Sequence, residues 1–289
     1  MSYSRNMKSA RARGVAAMFI AVAVFSVMDA LLKSLSTHYP PFQVGAIRAL
    51  ASLPFVLGPL WWRNRLHEII PVRWSLHLLR GICGVLMLAG FIYALREGSL
   101  GAVYSLYMAA PLLILLLAAL LLGERISLSH WGAVFLGLAG VLIILKPSSS
   151  GLPLAAGLAA TGSALCYAAS AILTRILSRT ETPAALVLWF LVIIGVVSLV
   201  LSLATWVPIR SSHAALIFAI GLSGALGQHY ITQALTLAPA SVVAPIEYTA
   251  LLWGAGIDWL FWSTSPSIRM LPGACLVVAA GMYVAWRER

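Results

Sequence analysis

Two stretches of the sequence, YALREGSLGAVYSLY at residues 93–107 and TQALTLAPASVVAPIEY at residues 232–248, share one pattern. Each has Ala-Leu at the end of an apolar run, then a short connector, then a new apolar run that opens with small residues. The runs that follow also match, as GAVFLGLAGVLI from Gly132 and GACLVVAAGMYV from Gly273. The offset is about 140 residues, so the sequence predicts an internal repeat that spans half of the chain.

The composition indicates a membrane protein. Of the 289 residues, 61% are hydrophobic and 9% are charged, whereas a soluble domain carries about 25% charged residues. So few charges cannot cover a surface that faces water, and lipid is the solvent that suits this chain. The formal net charge is +11, but the basic residues fall in short clusters between apolar runs rather than on one basic face. We therefore expect the lipid bilayer, and no nucleic acid, as a partner.

Apolar segments recur along the chain, each close to the roughly 20 residues that a helix needs to cross the hydrocarbon core. Ten of them lie at 14–35, 42–62, 75–96, 100–122, 130–146, 153–175, 184–206, 213–236, 240–262 and 270–286. Each half of the chain thus has five spans, and an odd number makes the second half start from the opposite side of the membrane. We therefore predict an all-α membrane protein with ten transmembrane helices, built as two inverted-topology five-helix repeats.

The predicted repeats cover residues 14–147 and 153–286. A basic segment, 1–13, precedes them, and residues 287–289 follow. Most Lys and Arg residues fall on the side of the membrane that holds the N-terminus, and cytoplasmic loops carry such an excess. We expect a multi-pass protein of the bacterial inner membrane with both termini in the cytoplasm.

Several motifs resemble one family of membrane proteins. These are LLGE at Leu121–Glu124, GAVFLGLAG at Gly132–Gly140 and APASVVAPIEY at residues 238–248. Together with the inverted halves, they resemble the drug/metabolite transporter superfamily, and most of all its EamA-type members, which include the YddG-like amino-acid exporters. The second half departs from the family pattern, because WSTSP at Trp262–Pro266 stands where many members have Gly-Glu. The resemblance implies transport of small organic molecules, without a cofactor or a metal, and does not name the cargo.

The repeat offset selects a candidate substrate site. Tyr104, Tyr107 and Met108 share one side of the fourth predicted helix, and tyrosine offers organic substrates both an apolar ring and a hydroxyl. By the offset, Tyr107 corresponds to Glu247 and Met108 corresponds to Tyr248. Because a pseudo-twofold axis brings equivalent positions together, we predict that these residues line a central site. A packing stripe is the alternative interpretation of the tyrosines.

Other polar residues inside the predicted spans need a reason, since an ionisable group there costs roughly 2.5–3.5 kcal/mol. Asp29 is a candidate for binding a proton or a substrate ammonium group, and an ion pair with Lys33, one helical turn away, is the alternative. Gln228 and His229 point about 100° apart on the eighth span. We expect one of them to face the cavity, and packing is the alternative for His229.

The remaining intramembrane groups are expected to be structural. Arg48 and Arg80 lie near span ends, where long stems reach the headgroups. Pro245 precedes Glu247 in the ninth span, and we expect it to bend the helix and to free a backbone carbonyl.

The sequence thus predicts a secondary transporter that exports amino acids, aromatic ones included, by alternating access as a monomer or homodimer. The alternative is an exporter of other metabolites or drugs, such as purines or cationic compounds. A distant alternative is an intramembrane protease, because GLSG at Gly221–Gly224 is similar to a serine-protease motif. However, His229 points about 120° away from Ser223 on the same helix and cannot act as its base. We therefore expect no enzymatic activity.

Overall fold

The computed structural model describes residues 2–97, 106–124, 127–145 and 153–250, and a few isolated residues between 252 and 283. Most of these residues are helical, and none of them lies in a strand. The helices are α1 Ser2–Ser36, α2 Pro41–Trp62, α3 Trp74–Glu97, α4 Ala110–Leu122, α5 Leu128–Leu145, α6 Leu154–Leu177, α7 Pro183–Ser202, α8 Ala214–Leu237 and α9 Ala240–Val243.

Six of the described helices, α1, α2, α3, α6, α7 and α8, are long and apolar enough to cross a membrane. Two shorter apolar helices, Ala110–Leu122 and Leu128–Gly140, lie between the two groups of three. Many large apolar side chains on the outside are exposed, as expected of a surface that lipid covers. The predicted all-α membrane fold is confirmed.

Two helices differ in shape from the predicted spans. The basic N-terminal segment is not separate from the first span, because α1 runs without a break from Ser2 to Ser36. The ninth span begins with a single turn, α9, and continues as a 3₁₀ helix at Ala244–Thr249. Pro245 lies at the start of this 3₁₀ helix, and a proline there removes a backbone donor, so the regular helical hydrogen bonding is interrupted where the sequence places Glu247.

The helices pack in pairs that repeat between the two halves. The α1 helix packs against α8, and the equivalent α6 packs against α3. In the same way, α2 packs against α8 and α7 packs against α3, while α2 and α7 pack against each other. Each of these pairs joins one half to the other. The core therefore lies between the halves, on a pseudo-twofold axis that passes between α2 and α7.

Glycines at matching positions allow these close approaches. In α8, a Cβ atom on Gly224 would lie 2.5 Å from Ser52 Oγ, and one on Gly221 would overlap the Ala51 carbonyl oxygen, both in α2. In α3, Gly84 lies against Ile194 of α7, where a Cβ atom would come within 2.7 Å of the isoleucine Cδ1. Gly81 lies one turn before it and faces Ile193. Gly81 and Gly84 are 140 residues before Gly221 and Gly224.

Candidate functional site

An acidic and a basic side chain lie together between α1 and α2. Asp29 and Arg48 interact electrostatically deep within the bundle. The Asp29 side chain is nevertheless exposed, and that of Arg48 is partly exposed, so packed protein does not enclose either group completely. The Arg48 guanidinium also lies over the ring of Phe25, 5.8 Å from its centroid, and Gly227 packs against the same ring.

Aromatic rings continue from this pair toward α6. Tyr107, three residues before α4 begins, interacts electrostatically with Arg48. Its ring centroid lies 4.9 Å from that of Phe91 and 6.1 Å from that of Tyr167. Four different spans therefore contribute Arg48, Phe91, Tyr107 and Tyr167 to one neighbourhood. The rings provide apolar faces, and the tyrosines add hydroxyls that can bind a polar ligand.

A second carboxylate completes the arrangement from the other half. Glu247 lies in the 3₁₀ helix Ala244–Thr249, is buried, and accepts a hydrogen bond from the Tyr167 hydroxyl. The irregular backbone at this point fits the rule that non-helical segments within a membrane occur where protein or a cavity surrounds them. Asp29 lies beside the Arg48 guanidinium, and Tyr107 and Tyr167 connect Arg48 to Glu247, so the neighbourhood contains two acidic groups and one guanidinium. Such a site can bind a molecule that carries both an ammonium group and a carboxylate.

Equivalent positions of the two halves meet beside this site. Met108 and Tyr248 belong to one buried cluster, against which Tyr107 packs. The Tyr248 ring is fully buried and lies flat against Gly137, at which a Cβ atom would overlap it. Tyr248 and Glu247 are therefore adjacent residues with different roles. The tyrosine ring fills the core, and the glutamate side chain interacts with Tyr167.

Two other predicted site residues, Gln228 and His229, make contacts within their own helix. Gln228 is buried and donates a long hydrogen bond of 3.5 Å to Thr232 Oγ1 in its own helix. His229 is exposed, with its ring edge against Tyr230 at 5.5 Å between centroids. Tyr104 lies outside the described residues, as does the side chain of Lys33. The roles of all these residues in binding stay predictions.

Sequence reasoning placed two arginines wrongly. Arg48 does not reach the headgroups but faces Asp29 and Phe25. Its position, seven residues after the start of α2 at Pro41, corresponds to a depth of roughly 10 Å and could have indicated this. Arg80 is buried, donates a hydrogen bond to the Leu186 carbonyl oxygen at 2.7 Å and lies 4.3 Å from the Phe190 ring centroid.

Tyr167 was not selected from the sequence at all. It stands among small residues in ALCYAASA at residues 164–171, and a single large polar ring in such a run is a signal that could have found it. The small neighbours let α6 pack closely against α3 and α4, so the tyrosine ring projects from a tightly packed helix toward Tyr107 and Glu247.

The structure also bears on the other chemistries. The Ser223 hydroxyl donates a hydrogen bond to the Ala219 carbonyl oxygen, 2.7 Å away in its own helix, and so is not directed at a base. Across the described residues, no group of three or more His, Cys, Asp or Glu side chains could hold a metal ion.

A separate groove of about 660 Å³ lies between α2 and α8. Its lining is mostly apolar, and Phe218 in it is 61% exposed, so this groove belongs to the lipid-facing surface.

The whole chain matches one family twice. The model of the EamA-like transporter family matches residues 12–146 and again residues 154–286. The chain belongs to the EamA-like transporter family. The predicted superfamily is thereby confirmed, and so is the repeat of one unit along the sequence. The members that the chain resembles are transporters rather than enzymes.

The relatives within the EamA-like family carry different cargoes. The pseudopaline exporter of Pseudomonas aeruginosa is 30% identical over 268 residues, which cover 92% of this chain and 94% of that protein. A riboflavin transporter of Rhizobium johnstonii is 30% identical over 73% of this chain and 70% of its own length. An S-adenosylmethionine uptake transporter of Rickettsia prowazekii is 23% identical over 96% and 93%. A solved crystal structure shares the fold, with a TM-score of 0.83 over 96% of this chain and 97% of its own, at 19% identity.

Proposed function

We propose that this member of the EamA-like family exports amino acids, aromatic ones included, across the bacterial inner membrane, as the YddG-like exporters do. Transport proceeds by alternating access, in which the two inverted halves, residues 14–147 and 153–286, exchange conformations around a fixed central site. The observation that carries the proposal is a row of side chains from both halves, in which Asp29 lies beside Arg48, and Tyr107 and Tyr167 connect Arg48 to Glu247.

The charges suit a zwitterion. Arg48 binds the substrate carboxylate, because a guanidinium offers two parallel donors to a carboxylate. Asp29 and Glu247 attract the ammonium group from α1 and from the 3₁₀ helix Ala244–Thr249. Each charged group of the substrate is then paired with an opposite charge of the site. This pairing offsets the free-energy cost of removing the charges from water in a low-dielectric environment.

The aromatic rings suit an aromatic or other apolar side chain. Phe25 covers one side of Arg48. The ring centroid of Tyr107 lies 4.9 Å from that of Phe91 and 6.1 Å from that of Tyr167. Aromatic pairs prefer offset or edge-to-face arrangements with centroids roughly 4.5–7 Å apart. A substrate ring can therefore join this row without disturbing it.

Orientation follows from the basic residues. Both termini lie in the cytoplasm in this proposal, because most Lys and Arg residues are on the side of the membrane that holds the N-terminus. Export is the direction that the YddG-like resemblance implies, and the functional unit is a monomer or a homodimer.

A second candidate function is the export of other metabolites or drugs, such as purines or cationic compounds. Two observations favour it. The relatives are transporters of pseudopaline, riboflavin and S-adenosylmethionine, and the site has two carboxylates to one guanidinium. An excess of acidic groups favours a cation over a zwitterion.

Transport in liposomes distinguishes the two. The purified protein is reconstituted, and uptake of labelled phenylalanine is competed with unlabelled phenylalanine, phenethylamine or 3-phenylpropionate. We expect phenylalanine to compete at a concentration at least about tenfold below that of either analogue, since each analogue leaves one charged group of the site unpaired. Equal or better competition by phenethylamine would favour the cationic cargo. No flux above empty liposomes for any labelled amino acid would rule out the proposal.

A further inference from the structure

Among the polar contacts that join the halves, two groups lie at opposite faces of the membrane. At the face where α1 begins, here called the N-terminal face, Glu181 Oε1 accepts hydrogen bonds from the backbone N–H groups of Val72 and Arg73, both at 2.8 Å. At the far face, the Tyr39 hydroxyl accepts one from the Arg210 N–H at 3.0 Å and bonds to His213 at 2.8 Å.

These two connections are equivalent by the repeat. Glu181 lies two residues before Pro183, which begins α7, and Tyr39 lies two residues before Pro41, which begins α2. Each reaches the start of the third helix of the other half. Both are formed in this structure, so they do not distinguish one face from the other, and we interpret them as parts of a scaffold that holds the halves together.

A third connection, formed by Glu124 and Arg175, lies at the N-terminal face. Among the described residues, it has no equivalent at the far face. Glu124, just after α4, accepts hydrogen bonds from the Ser241 hydroxyl at 2.8 Å and from the Ser241 and Ala240 N–H groups at 3.3 and 3.4 Å. Arg175 of α6 donates to the carbonyl oxygens of Leu235 and Thr236 at 3.0 and 2.8 Å. The carboxylate thus caps the start of α9, and the guanidinium caps the end of α8.

The two side chains also attract each other, with 4.0 Å between Arg175 Nε and Glu124 Oε1. Together they clamp the turn between α8 and α9 to the ends of α4 and α6. We call this arrangement the Glu124–Arg175 clamp. It joins the spans that carry Tyr107, Tyr167 and Glu247, which are the site residues contributed by the fourth span, α6 and the ninth span.

The space between the clamp and the site is filled. Met18, Ile114, Leu235 and Val243 are buried there in one apolar cluster. Gly14 of α1 lies against Ala238 in the clamped turn, where a Cβ atom would come within 2.7 Å of the alanine Cβ. Asp29, by contrast, is exposed. The site is therefore sealed from the N-terminal face.

The sequence makes this clamp one-sided. The position 140 residues after Glu124 is Thr264, in WSTSP, so the second half has no carboxylate there. We infer that the Glu124–Arg175 clamp is a latch, which biases the protein toward the state closed at the N-terminal face and must open in each transport cycle. This inference rests on the alternating access of the proposed function but not on the identity of the cargo.

Thiol labelling tests the latch without any substrate. Cys83, Cys166 and Cys275 are replaced by alanine, and a reporter is introduced by Ala21→Cys, in the buried cluster. We expect Glu124→Gln to raise the rate at which a water-soluble maleimide labels the reporter in liposomes by at least about tenfold. Glu68→Gln is the matched control, because Glu68 pairs with Arg65 in an exposed loop. An unchanged rate, or an equal rise in both variants, would overturn the latch.

A bridged variant checks that the latch opens during transport and does not depend on the tolerance of Glu124→Gln. Glu124→Cys and Ser241→Cys are combined in the same cysteine-free background, and a short bifunctional thiosulfonate joins them. We expect bridging to stop flux and a reducing agent to restore it. Flux that continues in the fully bridged protein would contradict the inference. If the cargo assignment fails instead, the labelling result still stands by itself.

Discussion

The two halves of the bundle share a backbone plan and differ in chemistry at the centre. In the first half, Tyr107 and Met108 provide a ring and a thioether next to the site. In the second half, the equivalent Glu247 and Tyr248 provide a carboxylate bound to Tyr167 and a fully buried ring. The shared plan provides two interchangeable conformations. Under the proposed function, the differences provide charge selectivity, because only one half contributes an acid at this position.

The largest effect that this comparison predicts is at Glu247. We expect Glu247→Gln to lower the rate of amino-acid flux by about 100-fold, because a buried ionic hydrogen bond is worth up to about 3 kcal/mol. Tyr107→Phe, at the equivalent position, keeps its ring contacts and should lose far less. Flux in liposomes, with thermal unfolding as the control for folding, measures both. Equal losses in the two variants would mean that the halves are not chemically distinct.

Arg48 provides the second test, since it is the guanidinium of the site. Arg48→Lys keeps the charge but loses the planar pair of donors. We expect the KM for an amino acid to rise about tenfold, while inhibition by the matching amine changes little, because the amine has no carboxylate for Arg48 to bind. Arg210→Lys, on an exposed residue outside the site, is the control. A KM change of the same size for the amine would argue that Arg48 is only structural.

The glycine pairs compare the two halves in stability rather than transport. A methyl group at Gly221 meets a backbone carbonyl in α2, whereas one at Gly81 meets the Ile193 side chain. We expect both alanine variants to destabilise the fold by about 1–3 kcal/mol, and Gly221→Ala to be the worse of the two. Gly162 faces open space, so Gly162→Ala is the matched control. Denaturation in detergent gives the order, and a Gly162→Ala variant as unstable as the others would contradict this packing account.

The smallest effect expected is at Tyr167. Tyr167→Phe removes the hydroxyl that donates to Glu247 and keeps the ring near Tyr107. The loss of one such bond costs about 1 kcal/mol, so we expect flux to fall about fivefold. In the double variant with Glu247→Gln, the two losses should not add, because the Tyr167 hydroxyl acts on transport through the Glu247 carboxylate. Additive losses would show that Tyr167 acts independently of Glu247.

The fold could be predicted from the sequence because its signals are long and repeated. Apolar runs gave the spans, and an offset near 140 related the halves through whole segments rather than single residues. The same offset relates Gly81 and Gly84 to Gly221 and Gly224. Pro245 also predicted the interrupted helix, which lies at Ala244–Thr249.

The site was harder to predict because side chains from distant spans form it. Arg48 looked like an end residue, and nothing local shows that α1 and α2 bring it to Asp29. The predicted role of Tyr167 depends on its contact with Glu247, and 80 residues separate the two in the sequence. The connections at Tyr39 and Glu181 were also hidden, because equivalent positions use a phenol in one half and a carboxylate in the other. The internal repeat predicts the arrangement of the backbone, but it does not predict which functional side chains each half places on that backbone.

The central claim is that Glu247 selects the ammonium group of the cargo. The most direct test measures binding of phenylalanine and of 3-phenylpropionate to the purified wild-type protein and to Glu247→Gln. The account predicts that the wild type prefers the amino acid by at least about tenfold, and that the variant loses this preference while it still binds the acid. A variant that keeps the full preference would contradict the account.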